Sequence, residues 1–476
     1  MPSEPLRITE HPIISFERGR SIEFIFEGKK LTGFETDTIL TALYANGVKI
    51  FSWSPKLGRA RGAFCMIGKC SSCFVKVNGQ AYVRACRTPL REGMVIERQR
   101  GLPEIPSLSP EKERMSRETL LADVLVIGGG PAGLAAAIKA AQFGLNIIIV
   151  EDHYKLGGQL IKQTHRFFGS RELFGGLRGF QIAQILERQV KEYGNVRVLT
   201  KTYAYGVFRD QWVGLISENS VYEAKAKCYI LATGAMENYL AFPGNDLPGV
   251  IGAGGAQTLM NEYGIRPGKK ALIVGAGNVG LIVAYQLLQA GVRVKAVLEI
   301  MPQIGGWFVH AAKIARYGVP ILLQHTIKEV LGKDSVEAAI IVKVDKDYSP
   351  IPGTERKIEC DFVLLSAGLT PDTRLLSQFG VKLKWVPELG GLVPLRTKYL
   401  ETTIPNVLVA GDMSGIEEAT TAIIEGWIAG LTAVVKVLGP KSEVLRERER
   451  LLKLLKEYRA APVSERVKRG LKRVII

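Results

Sequence analysis

Long apolar runs are scarce in this chain of 476 residues. A membrane-spanning helix needs about 20 predominantly apolar residues. The nearest approach, TAIIEGWIAGLTAVVKVLG, is interrupted by Glu425, Gly426 and Lys436. The opening MPSEPLRITEHPIISFERGR lacks the uninterrupted apolar core of a secretory signal. These absences predict a cytoplasmic protein with no transmembrane segment. Histidine is rare as well: His11, His153, His165, His310 and His325 share no metal-ligand spacing. Only His165, soon after a glycine motif described below, merits a test as a catalyst. Low-complexity tracts are missing, and so is any nucleic-acid module. The formal net charge of +17 is spread along the chain rather than gathered on one element. That pattern argues for solubility and attraction of phosphate-bearing cofactors or an acidic partner, and against nucleic acid.

Glycine, by contrast, is abundant, with 51 residues clustered where strands turn into helices. A length of 476 and a hydrophobic share of 47% predict two to four globular domains. Residues 1–100 open with two strand-like runs, Ser21–Phe26 and Lys30–Phe34, turned by Glu27-Gly28-Lys29. A helix capped by Thr36 or Asp37 follows, with Ile39, Leu40, Leu43 and Tyr44 on one face until Gly47 stops it. GLPEIPSLSPEKERMSRE, Pro-rich and then charged, marks a linker over 101–118. From Asp123 the pattern becomes buried strand, glycine turn, apolar helix, buried strand, and it repeats from Lys270. The copies DVLVIGGGPAGLAAAIKAAQFGLNIIIVE and KALIVGAGNVGLIVAYQLLQAGVRVKAVLE predict an α/β fold with doubly wound, Rossmann-type parallel sheets. From Lys441 a charged helix carries a narrow Leu stripe and a basic end. It reads as a solvated surface helix or as a docking tail.

In the first copy Gly128-Gly129-Gly130-Pro131-Ala132-Gly133 supplies the G-x-G-x-x-G spacing of a dinucleotide site. Gly128 allows the tight turn, Gly130 lets the backbone approach a pyrophosphate, and Gly133 lets the helix pack on the strand. The helix start at Pro131 and Ala132 offers unpaired N–H groups and a positive dipole end. Glu151 stands where an acid accepts hydrogen bonds from a ribose diol. Gly158-Gln159 follows, Thr233-Gly234 closes a later strand, and Gly411-Asp412 follows the apolar run Asn406–Ala410. This ordered set resembles the glutathione-reductase-like two-dinucleotide flavoproteins over about residues 120–440. The resemblance implies FAD at the first site, with Asp412 contacting its ribityl chain and the Ala-Thr-Gly segment beside the dinucleotide. Disulfide reductases of this fold need a redox dithiol beside the flavin. The stretch after Gly158, QLIKQTHRFFGS, has no Cys, and Cys228 and Cys360 each stand alone. The two lone cysteines read as small buried apolar residues, and a disulfide reductase is excluded.

The second copy repeats the fingerprint as Gly275-Ala276-Gly277-Asn278-Val279-Gly280, with Glu299 at its acidic position. An acid there favours the free 2′-hydroxyl of NAD over NADP. An empty, merely structural site is the alternative. Four of the six cysteines, Cys65, Cys70, Cys73 and Cys86, fall within 22 residues. The C-x4-C-x2-C part is the plant-type [2Fe–2S] spacing, and the flanking Arg61, Lys69 and Arg87 would stabilise a reduced cluster. Zinc and disulfides are the alternatives. The preceding hairpin and helix suit a β-grasp, ferredoxin-like fold.

The combination resembles the α subunit of heteromeric amine-oxidising flavoenzymes, the group of dye-linked L-proline dehydrogenase, heterotetrameric sarcosine oxidase, hydrogen cyanide synthase and hydroxyproline dehydrogenase. That resemblance implies a separate FAD-binding β subunit that oxidises a secondary amine, an FMN between subunits, and NAD or ATP as occupants of an α-subunit pocket. It implies domains at 1–100 (ferredoxin-like), 119–244 and 366–440 (FAD), 245–365 (inserted NAD-type) and 441–476 (tail). The expected function is electron transfer from that partner through flavin and cluster to an external acceptor. The rivals are a self-sufficient NADH:acceptor oxidoreductase and a nucleotide-stabilised scaffold.

Overall fold

A computed structural model describes residues 6–102, 115–167, 170–461 and 464–476. The two glycine turns lie in different units, because the chain crosses between them more than once. One unit is Met1–Leu108 with Glu237–Gly368, and the other is Ser109–Met236 with Leu369–Ile476.

In the first unit, alternation sets the N-terminal sheet. Ile22, Phe24 and Phe26 of strand Ser21–Phe26 point inward while the residues between them face outward. The sheet runs Lys29–Phe34, Ser21–Phe26, Val95–Arg98, Phe74–Val77, Gln80–Arg84, and Ser21–Phe26 pairs in parallel with Val95–Arg98. Helix Ile39–Ala45 packs its apolar face below it. Its cap is Thr38, not Thr36 or Asp37: Thr38 and Thr41 exchange backbone and side-chain hydrogen bonds of 2.8 and 3.2 Å. Asp37 instead accepts from the Thr41 hydroxyl and from Arg7, anchoring the segment before the sheet. The same unit holds a parallel five-stranded sheet in the order Val250–Gly252, Phe362–Leu365, Lys270–Val274, Arg293–Glu299, Ile321–Leu323. The ferredoxin-like sheet and the inserted dinucleotide domain therefore share one compact body.

The second unit is built on strand Ser116–Ile127, twelve residues that begin ahead of the expected start at Asp123. Its early part covers the end of the expected linker; residues 103–114 of that linker lie outside the described residues. It pairs along its length with Ser220–Leu231, and the sheet continues through Ile147–Val150 and Val196–Leu199 on one side. Strand Val407–Val409 joins Ser220–Leu231 in parallel, bringing the Gly411 loop to the same sheet edge. Helix Ala419–Leu438, with a mean hydropathy of 1.6 over its most apolar stretch, is the one described helix long and apolar enough to cross a membrane. It is largely buried here, because Gly426 and Gly430 let it lie directly on the backbone carbonyls of Ala132 and Ala136 in helix Pro131–Ala141. Helix Ser442–Tyr458 packs Val444, Leu451 and Leu455 into the same core. Farther on, the backbone of Ile476 donates to the Arg396 carbonyl at 3.0 Å. The segment from Lys441 onward is thus part of the second unit's structure.

Candidate cofactor sites

The first glycine turn joins strand Ser116–Ile127 to helix Pro131–Ala141. Gly128 has φ +109°, and a methyl group there would collide with the Ala232 carbonyl oxygen. At Gly133 a methyl would collide with the Gly128 carbonyl. At Gly130 the nearest atom to such a group is the Gly158 Cα, 3.8 Å away. The first and third glycines are therefore packing requirements, while the second faces open space of the kind a pyrophosphate needs. Proline at the helix start leaves the remaining N–H groups free to face that space.

Glu151 closes this cradle. Its Oε2 accepts the Gly129 N–H at 2.7 Å and its Oε1 accepts the His153 N–H at 2.7 Å. Each oxygen of the carboxyl group keeps acceptor capacity beyond these bonds, which a ribose diol can use. Burial, with the Asp152 charge adding, pushes the Glu151 carboxyl up to about 8. Gly157 donates to the Gly129 carbonyl at 2.8 Å, which folds the Gly158-Gln159 loop over the turn. On the other side, the Thr233 hydroxyl donates to the Asp372 carbonyl at 3.1 Å and Asp372 N–H to the Gly234 carbonyl at 2.9 Å. A methyl on Gly411 would meet Ala132 Cβ at 2.9 Å, so the Gly411-Asp412 loop also touches the start of helix Pro131–Ala141. Asp412 is partly exposed, yet the protein around it pushes its carboxyl up to about 7, chiefly by burial. The structure brings Gly128, Gly130, Pro131, Ala132, Gly133, Glu151, Gly158, Thr233, Gly411 and Asp412 to one region, as the fold requires of a flavin site.

Behind that loop lies a charge network that the sequence reading missed. Glu425 is only 2% exposed. Its Oε2 accepts the Gly411 N–H at 3.0 Å and the Ser414 hydroxyl at 2.6 Å, and its Oε1 accepts from Arg459 at 2.7 Å. Arg459 also forks onto Glu417, and Arg396 approaches Glu425 at 3.4 Å. Thus Arg459 of the C-terminal segment fixes the backbone of the Gly411 loop through a buried carboxylate.

The second turn, in the other unit, repeats the plan. Gly275 has φ +106°, and a methyl there would collide with the Ser366 carbonyl; at Gly280 it would collide with the Gly275 carbonyl. Gly277 meets nothing within 4 Å. Glu299 Oε2 accepts the Ala276 N–H at 2.8 Å and Oε1 the Met301 N–H at 3.0 Å, the same role Glu151 has. Gly306 donates to the Ala276 carbonyl at 3.0 Å, and Trp307 N–H to the Asn278 side chain at 2.8 Å. A Gly305-Gly306 pair therefore closes this turn much as Gly157-Gly158 closes the first. The repeat of an acid followed six and seven residues later by two glycines was present in both copies and could have been read from them. Val279, Trp307 and Phe308 leave apolar surface exposed beside the turn.

The four cysteines neighbour one another in two pairs, Cys65 with Cys70 and Cys73 with Cys86. The neighbouring Cys65, helped by Ser72 and opposed by burial, pulls the Cys70 thiol down to about 5. No three His, Cys, Asp or Glu side chains among the described residues converge tightly enough for a single ion. Two facing pairs suit a two-iron cluster, in which each iron takes two thiolates, better than one tetrahedral zinc. Met66, Gly68 and Ser71 all have positive φ, so the loop winds tightly around the cysteines, and Ile67 N–H already points at Cys65 Sγ, 3.5 Å away. Of the cations expected near a cluster, Arg87 packs over Gly68 and acts on Cys86. Arg61 does not serve that way, because Asp246 pairs it at 2.7 Å. Cys228 and Cys360 are buried apart from these four, and burial pushes each thiol up to about 12. His165 stacks on Phe167 with ring centroids 5.5 Å apart.

Comparison with known proteins agrees with both halves of this picture. Residues 122–426 match the pyridine nucleotide-disulphide oxidoreductase family, and residues 19–101 match a 2Fe-2S iron-sulfur cluster binding domain. The alpha subunit of sarcosine oxidase from Corynebacterium sp. (strain P-1) is 24% identical over 89% of this chain and 44% of its own length. The HcnB subunit of hydrogen cyanide synthase from Pseudomonas protegens is 26% identical over 71% of this chain and 76% of its own. The chain therefore spans less than half of the sarcosine oxidase relative. Among solved structures, L-proline dehydrogenase from P. horikoshii superposes with a TM-score of 0.70 at 25% identity, covering 93% of this chain and 79% of that one. The matched residues and the geometry of the two glycine turns place the chain in the pyridine nucleotide-disulphide oxidoreductase family, as an oxidoreductase-type flavoprotein fold carrying an N-terminal 2Fe-2S domain.

Proposed function

We propose that this chain is the electron-transfer and nucleotide-binding subunit of a multi-subunit dehydrogenase for a secondary amino acid such as L-proline, hydroxyproline or sarcosine. The observation that carries this reading is a flavin-type site without a neighbouring dithiol, in a chain that also has four paired cysteines at [2Fe–2S] spacing. A bound flavin would accept electrons in pairs and release them singly, and an iron–sulfur cluster would carry them one at a time, so together they could link amine oxidation to a one-electron acceptor. Glu151, Gly130 and the start of helix Pro131–Ala141 would hold and orient the adenosine and pyrophosphate of FAD. Asp412, in the loop whose Gly411 N–H the Glu425–Arg459 network holds, would contact the ribityl chain. Gln159 belongs to the loop that closes the first turn, and Asn278 opens the helix after the second, where its side chain accepts the Trp307 N–H.

The amine chemistry is assigned to an FAD-binding β subunit, as the resemblance to heteromeric amine-oxidising flavoenzymes implies. An FMN at the subunit interface belongs to the same reading. The Gly275–Gly280 site with Glu299 suits NAD, or the adenosine part of ATP, over NADP. The domains proposed are 1–100, 119–244 with 366–440, 245–365 and 441–476, and the site of action is the cytoplasm. The test is co-expression with an amine-oxidase-like flavoprotein partner, followed by assay of dye reduction by L-proline, hydroxyproline and sarcosine. Amine-dependent turnover of the complex, absent from this chain alone, is expected. Fast NADH–dye turnover by the chain alone, with no amine activity in any complex, would instead establish the self-sufficient enzyme.

A further inference from the structure

The positive charge of this chain, spread along most of its length, is concentrated in one place. From Thr38 to Arg91 the sequence has nine Lys and Arg and no Asp or Glu. All four clustered cysteines lie inside that stretch. Carboxylates from elsewhere in the first unit reach part of it. Asp246 pairs Arg61 at 2.7 Å and Arg59 at 3.5 Å, and Glu97 pairs Lys76 at 3.1 Å.

Three of the other cations gather where the cysteine loop opens to solvent. Cys65, Cys73 and Cys86 are buried, whereas Cys70 and the rest of the loop from Ile67 to Ser72 are half-buried. An electron leaving these cysteines for another molecule has its shortest way out there. Lys69 adjoins Cys70 in that loop. Arg87 lies along it, because a methyl on Gly68 would meet the Arg87 Cγ at 2.8 Å. The exposed Arg84 sits over the ring of Phe74, the residue after Cys73, 5.6 Å from its centroid. Arg87 N–H donates to the Arg84 carbonyl at 3.1 Å, so one turn carries both arginines around Cys86. Beside them Tyr82, exposed at the surface, packs on Phe74 with ring centroids 5.2 Å apart. The loop is thus ringed by cations with an aromatic edge. A cationic face of this kind repels itself, and an acidic surface laid over it relieves that repulsion and is steered to it.

We propose that the face around Cys70, ringed by Lys69, Arg84 and Arg87, docks an acidic one-electron carrier protein, the external acceptor of the function proposed above. This rests on Cys65, Cys70, Cys73 and Cys86 being the ligands of a [2Fe–2S] cluster. In each encounter this chain loses one electron and the carrier gains it; no covalent bond forms or breaks and no proton moves. The amine oxidised by the partner subunit supplies the electrons. The same cations also favour the more negative, reduced cluster, an effect that needs no carrier and that a binding measurement does not register.

The experiment measures binding to the full-length protein by isothermal titration calorimetry at about 20 mM and about 300 mM ionic strength. Two one-electron carriers of opposite charge are the probes: plastocyanin, an acidic blue-copper protein, and cytochrome c, a basic haem protein. Iron and acid-labile sulfide are determined on the same samples. Plastocyanin is expected to bind at the lower ionic strength and to lose roughly tenfold or more in affinity at the higher, while cytochrome c does not bind. Lys69→Gln and Arg84→Gln are each expected to weaken plastocyanin binding roughly two- to fivefold, with melting curves that match the wild type. Lys346→Gln, the same charge change on an exposed turn outside the cysteine segment, is expected to leave it unchanged. Plastocyanin that fails to bind, cytochrome c that binds as tightly, or both cysteine-face variants behaving like Lys346→Gln overturns the proposal. A duplex oligonucleotide that binds more tightly than plastocyanin at both ionic strengths overturns it in favour of a nucleic-acid surface. Absence of iron and sulfide from the wild-type protein overturns the cluster assignment beneath it, whatever binds.

Discussion

Replacing Arg459 by methionine tests how the C-terminal segment supports the flavin-side loop. The arginine is 13% exposed and sits between two carboxylates, Glu417 at 9% and Glu425 at 2%. It donates through Nε to Glu417 at 2.9 Å and through Nη2 to Glu425 at 2.7 Å. Methionine keeps an unbranched, flexible apolar stem without the charged head. The two glutamates are then left facing each other with Arg396 alone, and an uncompensated buried charge costs about 3–5 kcal/mol. For a folding unit of this size that lowers the melting temperature by roughly 6–20 °C. The pH dependence carries the sharper signature. In the wild type, Arg459, Arg396 and Ser414 together outweigh burial and hold Glu425 below its ordinary carboxyl value. Its contribution to stability is therefore complete above that ordinary value and is lost as pH falls below it. Without Arg459, burial and mutual repulsion dominate and both carboxyls move up, so acidification protonates them and relieves the variant. The gap in melting temperature, followed by circular dichroism from pH 8 to pH 5, is expected to narrow. A gap under about 2 °C, or one constant over that range, would refute the reasoning. Adding Glu417→Gln to Arg459→Met is expected to restore part of the loss.

Other outcomes follow from the same geometry. Glu151→Gln should weaken adenine-nucleotide retention at the first site, read by cofactor extraction after purification. Because the wild-type carboxyl is pushed up to about 8, ionising it costs stability increasingly from its ordinary value up to that pH; the nucleotide-free variant should melt above the nucleotide-free wild type at pH 8 and match it near pH 5. Gly130→Ala should leave the melting temperature within about 1 °C, since nothing lies nearer than 3.8 Å, while lowering FAD content. Gly128→Ala should destabilise by more than about 1 kcal/mol, because φ is +109° and the Ala232 carbonyl blocks the methyl. Cys228→Ser should cost about 1–3 kcal/mol for an unpaired buried hydroxyl yet leave iron content unchanged.

The features legible in the sequence were those with a fixed local spacing. A glycine turn between a buried strand and a helix announces itself within six residues, and the cysteines within 22. The acids Glu151 and Glu299 were found by distance from those turns, and both close their loops in the same way. What stayed hidden depends on contacts between distant segments. Glu425 and Arg459 are 34 positions apart, with nothing in the helical pattern to set Glu425 apart from a solvated charge. Tyr239 meets Phe64 across some 175 positions, and a lone tyrosine in a loop has no periodicity. Arg61 was read as an electrostatic neighbour of the cysteines because sequence adjacency shows a charge but not its partner, here Asp246. The segment beyond Lys441 reads from sequence as a solvated helix or a docking tail, whereas Val444, Leu451 and Leu455 pack into the second unit's core; the arginine just beyond the leucine stripe, which carries the structural role, lies off it.

The most direct test of the central claim is a cofactor inventory of the full-length protein purified together with the proposed amine-oxidising partner. It combines iron and acid-labile sulfide analysis, flavin extraction, and electron paramagnetic resonance before and after adding the amine. The account predicts two irons and two sulfides per chain, bound flavin, and a reduced-cluster signal that the amine elicits and that Cys65→Ser abolishes. A complex that oxidises the amine at full rate with no iron in this chain, or with Cys65→Ser unchanged, would contradict it.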